Sequence, residues 1–158
     1  MGAANPENTE GGHTWKPRIV DGPCQDCHPG MRDYKTYQNL NGQDYDGDGV
    51  VEPTAQEIDG LIEKITAALA ANNIRYDPST NPYFFPISGT SITWTVNLNA
   101  ASYNLNEVFK SANALYVHNP MYVIQVLRDS LQAITGTVPP GVRPPGERPA
   151  TDYRTITP

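Results

Sequence analysis

The strongest constraint on any fold open to this chain is a pair of cysteines three positions apart with a histidine directly behind them, Cys24-Gln25-Asp26-Cys27-His28. These are the only two cysteines among 158 residues. A disulfide closing so short a loop would remove little entropy from the unfolded chain, because loop-closure entropy rises with loop length, so stapling does not account for them. The spacing is the one by which two thiols add across the vinyl groups of a porphyrin while the adjacent imidazole reaches the iron. On that reading Cys24, Cys27 and His28 attach one haem c. Zinc would need two further ligands grouped elsewhere, whereas only His13 and His118 remain, far apart in sequence. A thioredoxin-like dithiol would need a βαβ frame that the pattern lacks.

Composition sets the scale of the rest. Hydrophobic residues make up 38% of the chain beside 15 prolines and 13 glycines. The core is therefore expected to be smaller than the length alone would allow, with much loop and tail around it. A net charge of −6 without basic clusters disfavours nucleic acid and anionic membrane surfaces as partners. No apolar run approaches the roughly 20 residues that span a bilayer. Met1 to Pro6 lacks the basic and apolar regions of a secretory signal. Haem of this kind is attached outside the cytoplasm, so the expectation is an extracellular or periplasmic protein whose sequence here is a mature product or a piece of a longer one.

Helical periodicity is clearest over 53–73, where Ile58, Leu61, Ile62, Ile65 and Leu69 form one apolar stripe. Prolines 78, 82 and 86 make 74–90 an aromatic loop, and the alternation of Ser91 to Leu98 reads as a short strand. A further helix is expected over 103–114, begun near Ser102 or Asn104, with Leu105, Val108 and Phe109 inward. Asn119 as N-cap and Pro120 at the first position open another, with Ile124, Leu127, Leu131 and Ile134 inward and Gly136 as C-cap. From Val138 five prolines by position 149 predict an extended, solvated tail. The expected architecture is mainly α: a loop-rich c-type cytochrome domain over 1–137 with two or three helices and a short β segment, followed by a Pro-rich tail over 138–158.

The sixth iron position decides what such a haem does, since a second strong ligand leaves electron transfer and an open position permits chemistry. His118, directly before the Asn119-Pro120 helix start, is the first candidate, and His13 on the N-terminal arm the second. Met31 follows His28 too closely to cross to the other haem face, and Met121 is less favoured. His13-Thr14-Trp15, the Cys24-to-Gly30 segment, the acidic glycine loop with its following helix, and Val117-His118-Asn119-Pro120-Met121-Tyr122 together resemble the C-terminal haem domain of large multihaem c-type cytochromes over residues 12 to 135. That resemblance implies a distal-ligand role for His118, and for His13 ligation of a haem attached elsewhere. The departure is that this chain has one haem motif rather than several, so either it is a fragment or neighbouring copies supply the other haems. The expected activity is electron transfer rather than catalysis, with redox proteins or copies of itself as partners in an oligomer, filament or larger multihaem assembly. The alternatives are a terminal domain of a multihaem reductase and a mainly structural haem-bearing filament subunit.

A second motif lies at 44–57. Asp44, Asp46 and Asp48 occupy positions 1, 3 and 5 of a calcium loop, Gly49 the sharp turn at 6, Val50 the carbonyl position and Glu52 position 9. Position 12 is Ala55 instead of a bidentate Glu, with Glu57 two residues later as its substitute. Three carboxylates on one turn repel unless neutralised, so calcium is the expected second cofactor, in a structural role.

Overall fold

Asn119 and Pro120 begin a helix in the way their chemistry dictates: the Asn119 carboxamide accepts the backbone N–H of Tyr122 at 3.2 Å, and proline occupies a first-turn position where no N–H is missed. Gly136 ends it in the left-handed region, its φ of 73° free of the Cβ penalty, and donates its N–H to Gln132 O. The computed structural model describes residues 24–27, 29–33, 42–110 and 119–144. Among them run four helices and two strands, α1 Cys24–Cys27, α2 Thr54–Ala70, β1 Ile74–Tyr76, β2 Phe84–Pro86, α3 Val96–Lys110 and α4 Pro120–Thr135. Chain contacts divide the molecule into two compact units, Met1–Tyr34 and Lys35–Pro158.

Within the second unit α4 contacts both α2 and α3 far more than those two contact each other. The core joins Ile58, Leu61, Ile65 and Leu69 of α2 to Leu98, Leu105 and Val108 of α3 and Val123, Ile124, Leu127 and Leu131 of α4. Each fully buried side chain of this kind stabilises by about 1.5–3 kcal/mol relative to exposure. None of the helices is long and apolar enough to cross a membrane, among the described residues.

The β structure is not where alternation put it. Ser91 to Thr95 carries no regular structure, and Val96 to Leu98 is helix. The signal overlooked is Thr95, whose hydroxyl accepts the N–H of Leu98 at 3.2 Å and caps α3. From that cap Leu98, Ala101, Ser102, Leu105 and Val108 fall on the buried side, which leaves Phe109 41% exposed rather than inward. Ser102 and Asn104, expected near the helix start, lie in its interior.

The strands lie inside the segment read as loop. They pair antiparallel with Ile74 opposite Pro86, Arg75 opposite Phe85 and Tyr76 opposite Phe84. Pro86 is tolerated because in a two-stranded ribbon every strand is an edge. Stacking holds what ladder length cannot: Tyr76 lies on Phe84 at 5.0 Å and meets Phe109 edge-on at 5.7 Å.

The start of the Pro-rich segment is tethered to the helices and the acidic loop rather than left as a free tail. The Arg128 guanidinium, 1% exposed, donates to the carbonyls of Tyr45 (2.5 Å), Pro139 (2.9 Å), Pro140 (2.7 Å) and Gly141 (3.2 Å). Pro139 and Pro144 are buried, and Val142 donates its N–H to Asp44 O. The expected 103–114 helix beyond Lys110 and the tail beyond Pro144 fall outside the described residues.

Arg128→Met is expected to destabilise the second unit by at least about 3 kcal/mol, because charged hydrogen bonds are lost and buried carbonyls stay unsatisfied. Arg128→Lys should recover little, since one ammonium cannot span the same acceptors. Arg143→Ala, which removes a pair to Asp129 at 2.6 Å nearer the surface, should cost about 1 kcal/mol or less. Urea midpoints of the three variants give the comparison; equal shifts for Arg128→Met and Arg143→Ala would contradict it.

Candidate functional site

The cysteine pair lies in the first unit. The backbone from Cys24 to Cys27 makes one helical turn, and positions three apart on a helix are neighbours on one side of it. The intervening Gln25 clips the chain that follows: its Nε2 donates to Met31 O at 2.5 Å, and its Oε1 accepts the N–H of Gly30 at 3.0 Å. Gly30 has a φ of 87°, which a side chain would resist. His28, His13 and His118 lie outside the described residues, as do the side chains of Cys24 and Cys27.

The acidic loop lies in the second unit. Carboxylate oxygens of Asp44, Asp46 and Asp48 all come within 4.8 Å of one another. Each also accepts loop amides: Asp44 from Gly47 (2.5 Å) and Gly49 (2.9 Å), Asp46 from Asp48 (2.9 Å), and Asp48 from Val50 (2.7 Å). Gly49, at the turn position, has a φ of 93°. Val50 turns its side chain outward, 54% exposed.

Glu57 lies beneath the loop in the first turn of α2, where the helix dipole favours an acid. Fully buried, it accepts the N–H groups of Tyr45 (2.7 Å) and Asp46 (3.1 Å) on one oxygen and of Glu52 (2.9 Å) on the other. It thus anchors the loop backbone and stands outside the aspartate group. Partial burial, and then the fields of Asp48, Glu57, Asp46 and Asp44, hold the Glu52 carboxyl above its ordinary value.

Sequence reading missed two supports. Lys64, about two helical turns beyond Glu57, pairs with the Asp46 carboxylate at 3.3 Å and donates to Asp46 O. Gly60 lies under the same carboxylate, which a Cβ at that position would overlap. The spacing Glu57-x-x-Gly60-x-x-x-Lys64 on one helix face was the available signal, masked because charged residues on a helix usually face water.

No protein-family model, curated protein or solved structure matches the chain.

Because its carboxyl sits above the ordinary value of 4.5 in the fold, Glu52 favours folding most when protonated. That contribution is present below the unfolded value and is lost as pH rises through the raised folded value. Glu52→Gln is therefore expected to raise the unfolding midpoint in chelator at pH 7, with the gain shrinking toward pH 4. Thermal melts at both pH values test this, and a gain that grew on acidification would refute it.

Proposed function

We propose that this chain is an extracytoplasmic electron-transfer protein carrying one haem c, held by Cys24, Cys27 and His28, with His118 as second axial ligand. The observation that carries the reading is the complete Cys24-x-x-Cys27-His28 motif, whose cysteines share one helical turn. The Gln25 clip supports it by fixing the turn through Gly30 to Met31 directly after the histidine. His118 stands one residue before Asn119, whose cap fixes the start of α4, so a ligand there would lose little further freedom on coordination. Bound haem supplies a one-electron couple whose potential follows its axial ligands and burial. With a single motif and two spare histidines, the functional unit in this reading is an assembly of copies, or a larger multihaem protein of which this chain resembles the C-terminal domain. His13 then reaches a neighbouring haem.

Expressed with c-type maturation, the protein should show a covalent, low-spin haem spectrum that is lost in Cys24→Ala with Cys27→Ala. His118→Ala should turn the spectrum high-spin and open the iron to carbon monoxide, while His13→Ala should weaken assembly. An unmodified spectrum in His118→Ala rules out that ligand, and absence of covalent haem in the parent protein rules out the reading.

We further propose that calcium braces the acidic loop through Asp44, Asp46 and Asp48, the Val50 carbonyl and Glu52. Glu57 serves the same loop through its backbone amides. Lys64 already offsets part of the charge, which sets a modest affinity. Calcium should raise the unfolding midpoint by mass action, and Asp48→Asn should remove most of that rise; a calcium response equal in parent and variant would exclude this site.

A further inference from the structure

A pocket of ≈ 360 Å³ opens beside the β1–β2 ribbon and α3. Its aromatic walls are Phe84, Trp94 and Tyr103, and its polar groups are Asn99, Ser102 and Asn106. No charged residue lines it among the described residues. Ser102 lies at its base, with its hydroxyl closed off from solvent. It is only 2% exposed, and its hydroxyl has no hydrogen-bond partner. Serines inside helices commonly bond back to the carbonyl four residues earlier, and an unsatisfied buried hydroxyl costs about 1–3 kcal/mol. Such an orphan calls for an explanation. Asn106 accepts from the Tyr76 hydroxyl at 3.2 Å through Oδ1, which leaves its NH₂ group, and the whole Asn99 carboxamide, without a partner among the described residues.

We infer that this pocket binds a neutral, polyhydroxylated six-membered ring, a hexopyranose unit. The pocket's chemistry and shape point to this ligand independently of any haem. Phe84 and Trp94 meet at 88° with centroids 6.3 Å apart. They form a corner rather than a parallel-walled slot, so a flat aromatic ligand could stack on only one face, whereas a puckered ring can lay its C–H groups on one wall and its edge on the other. The negative face of an aromatic ring attracts such polarised C–H groups. The Asn99 and Asn106 carboxamides both donate and accept, as sugar hydroxyls do, whereas a quinone offers acceptors alone. An ion finds no counter-charge among the described residues, and a purely apolar ligand would cover the Asn99 and Asn106 amides without replacing their bonds to water.

The Phe84 wall is held in place beforehand. Tyr76 stacks on Phe84. In the turn between the strands, Lys110 lies over the Tyr83 ring at 4.1 Å and donates to Pro78 O at 3.2 Å. A site fixed in this way loses little order on binding. Trp94 and Tyr103 remain 45% and 65% exposed, open to a sugar at the end or along the length of a glycan.

The test is saturation-transfer NMR on the full-length protein with the methyl glycosides of glucose, galactose, mannose and N-acetylglucosamine. Transfer to ring C–H protons is expected for at least one, with an affinity near about 1 mM. Trp94→Ala should abolish it. Asn99→Ala, at an exposed position with no partner to lose, should weaken it about 5- to 10-fold while the helical circular dichroism stays unchanged. Absence of transfer from all four glycosides overturns the proposal, as does equal transfer in the parent and Asn99→Ala proteins. Binding of menadione at Trp94 without binding of any glycoside would overturn it in favour of a planar ligand.

Discussion

One buried cation organises the second unit. The Arg128 guanidinium reaches the carbonyl of Tyr45, 83 residues away, together with three successive carbonyls from Pro139 to Gly141. Only a planar fork with five donors can serve acceptors spread over two segments. The proline run suits this use, because proline carbonyls accept while the missing N–H groups need no partner. Backbones then come into direct contact: a Cβ at Gly47 would overlap Pro140, and one at Gly141 would overlap Gly47 and Tyr45. Both glycines also have positive φ, 78° and 88°. The segment after α4 therefore acts as a strap across the acidic loop, and the shape of that loop depends on residues far from it in sequence.

That dependence explains what the residues disclosed in advance and what they withheld. Helix α4 was legible to the residue, from Asn119 to Gly136, because cap, proline and terminal glycine are local chemistry. The stripe of α2 was legible for the same reason, and so was the gathering of Asp44, Asp46 and Asp48. Thr95 was hidden because its cap opens a stretch whose side chains also alternate, and period alone cannot separate a short strand from a first helical turn. The β1–β2 ribbon was hidden by its prolines, which an edge accepts and a central strand does not. The strap was the largest surprise. Proline-rich composition describes a solvated tail unless a distant donor claims its carbonyls, and nothing near residue 139 announces Arg128. The proposed haem attachment is the opposite case, since its whole signal sits in five residues. Its distal ligand is a tertiary matter that spacing only narrows.

Charge in the acidic loop is balanced in more than one currency of interaction. Unit charges within 4.8 Å of one another repel by at least about 3 kcal/mol per pair at an effective dielectric near 20. Against this stand amide hydrogen bonds to each aspartate, worth about 1.5–3 kcal/mol each where one partner is charged, and the Lys64 ammonium at Asp46. The opposing terms are of one size, so amides and Lys64 offset much of the repulsion and leave part of it to a cation. Glu57 makes the same point from below: buried and acidic, it is matched by three backbone N–H groups and the start of α2 rather than by a cation. A cation bound above would act on Asp48 and Glu52, neither of which pairs with an ammonium among the described residues, and the carboxyl of Glu52 already resists ionisation. Binding there would relieve repulsion that the fold leaves standing, and it would stiffen a junction that Arg128 and the strap have already drawn together.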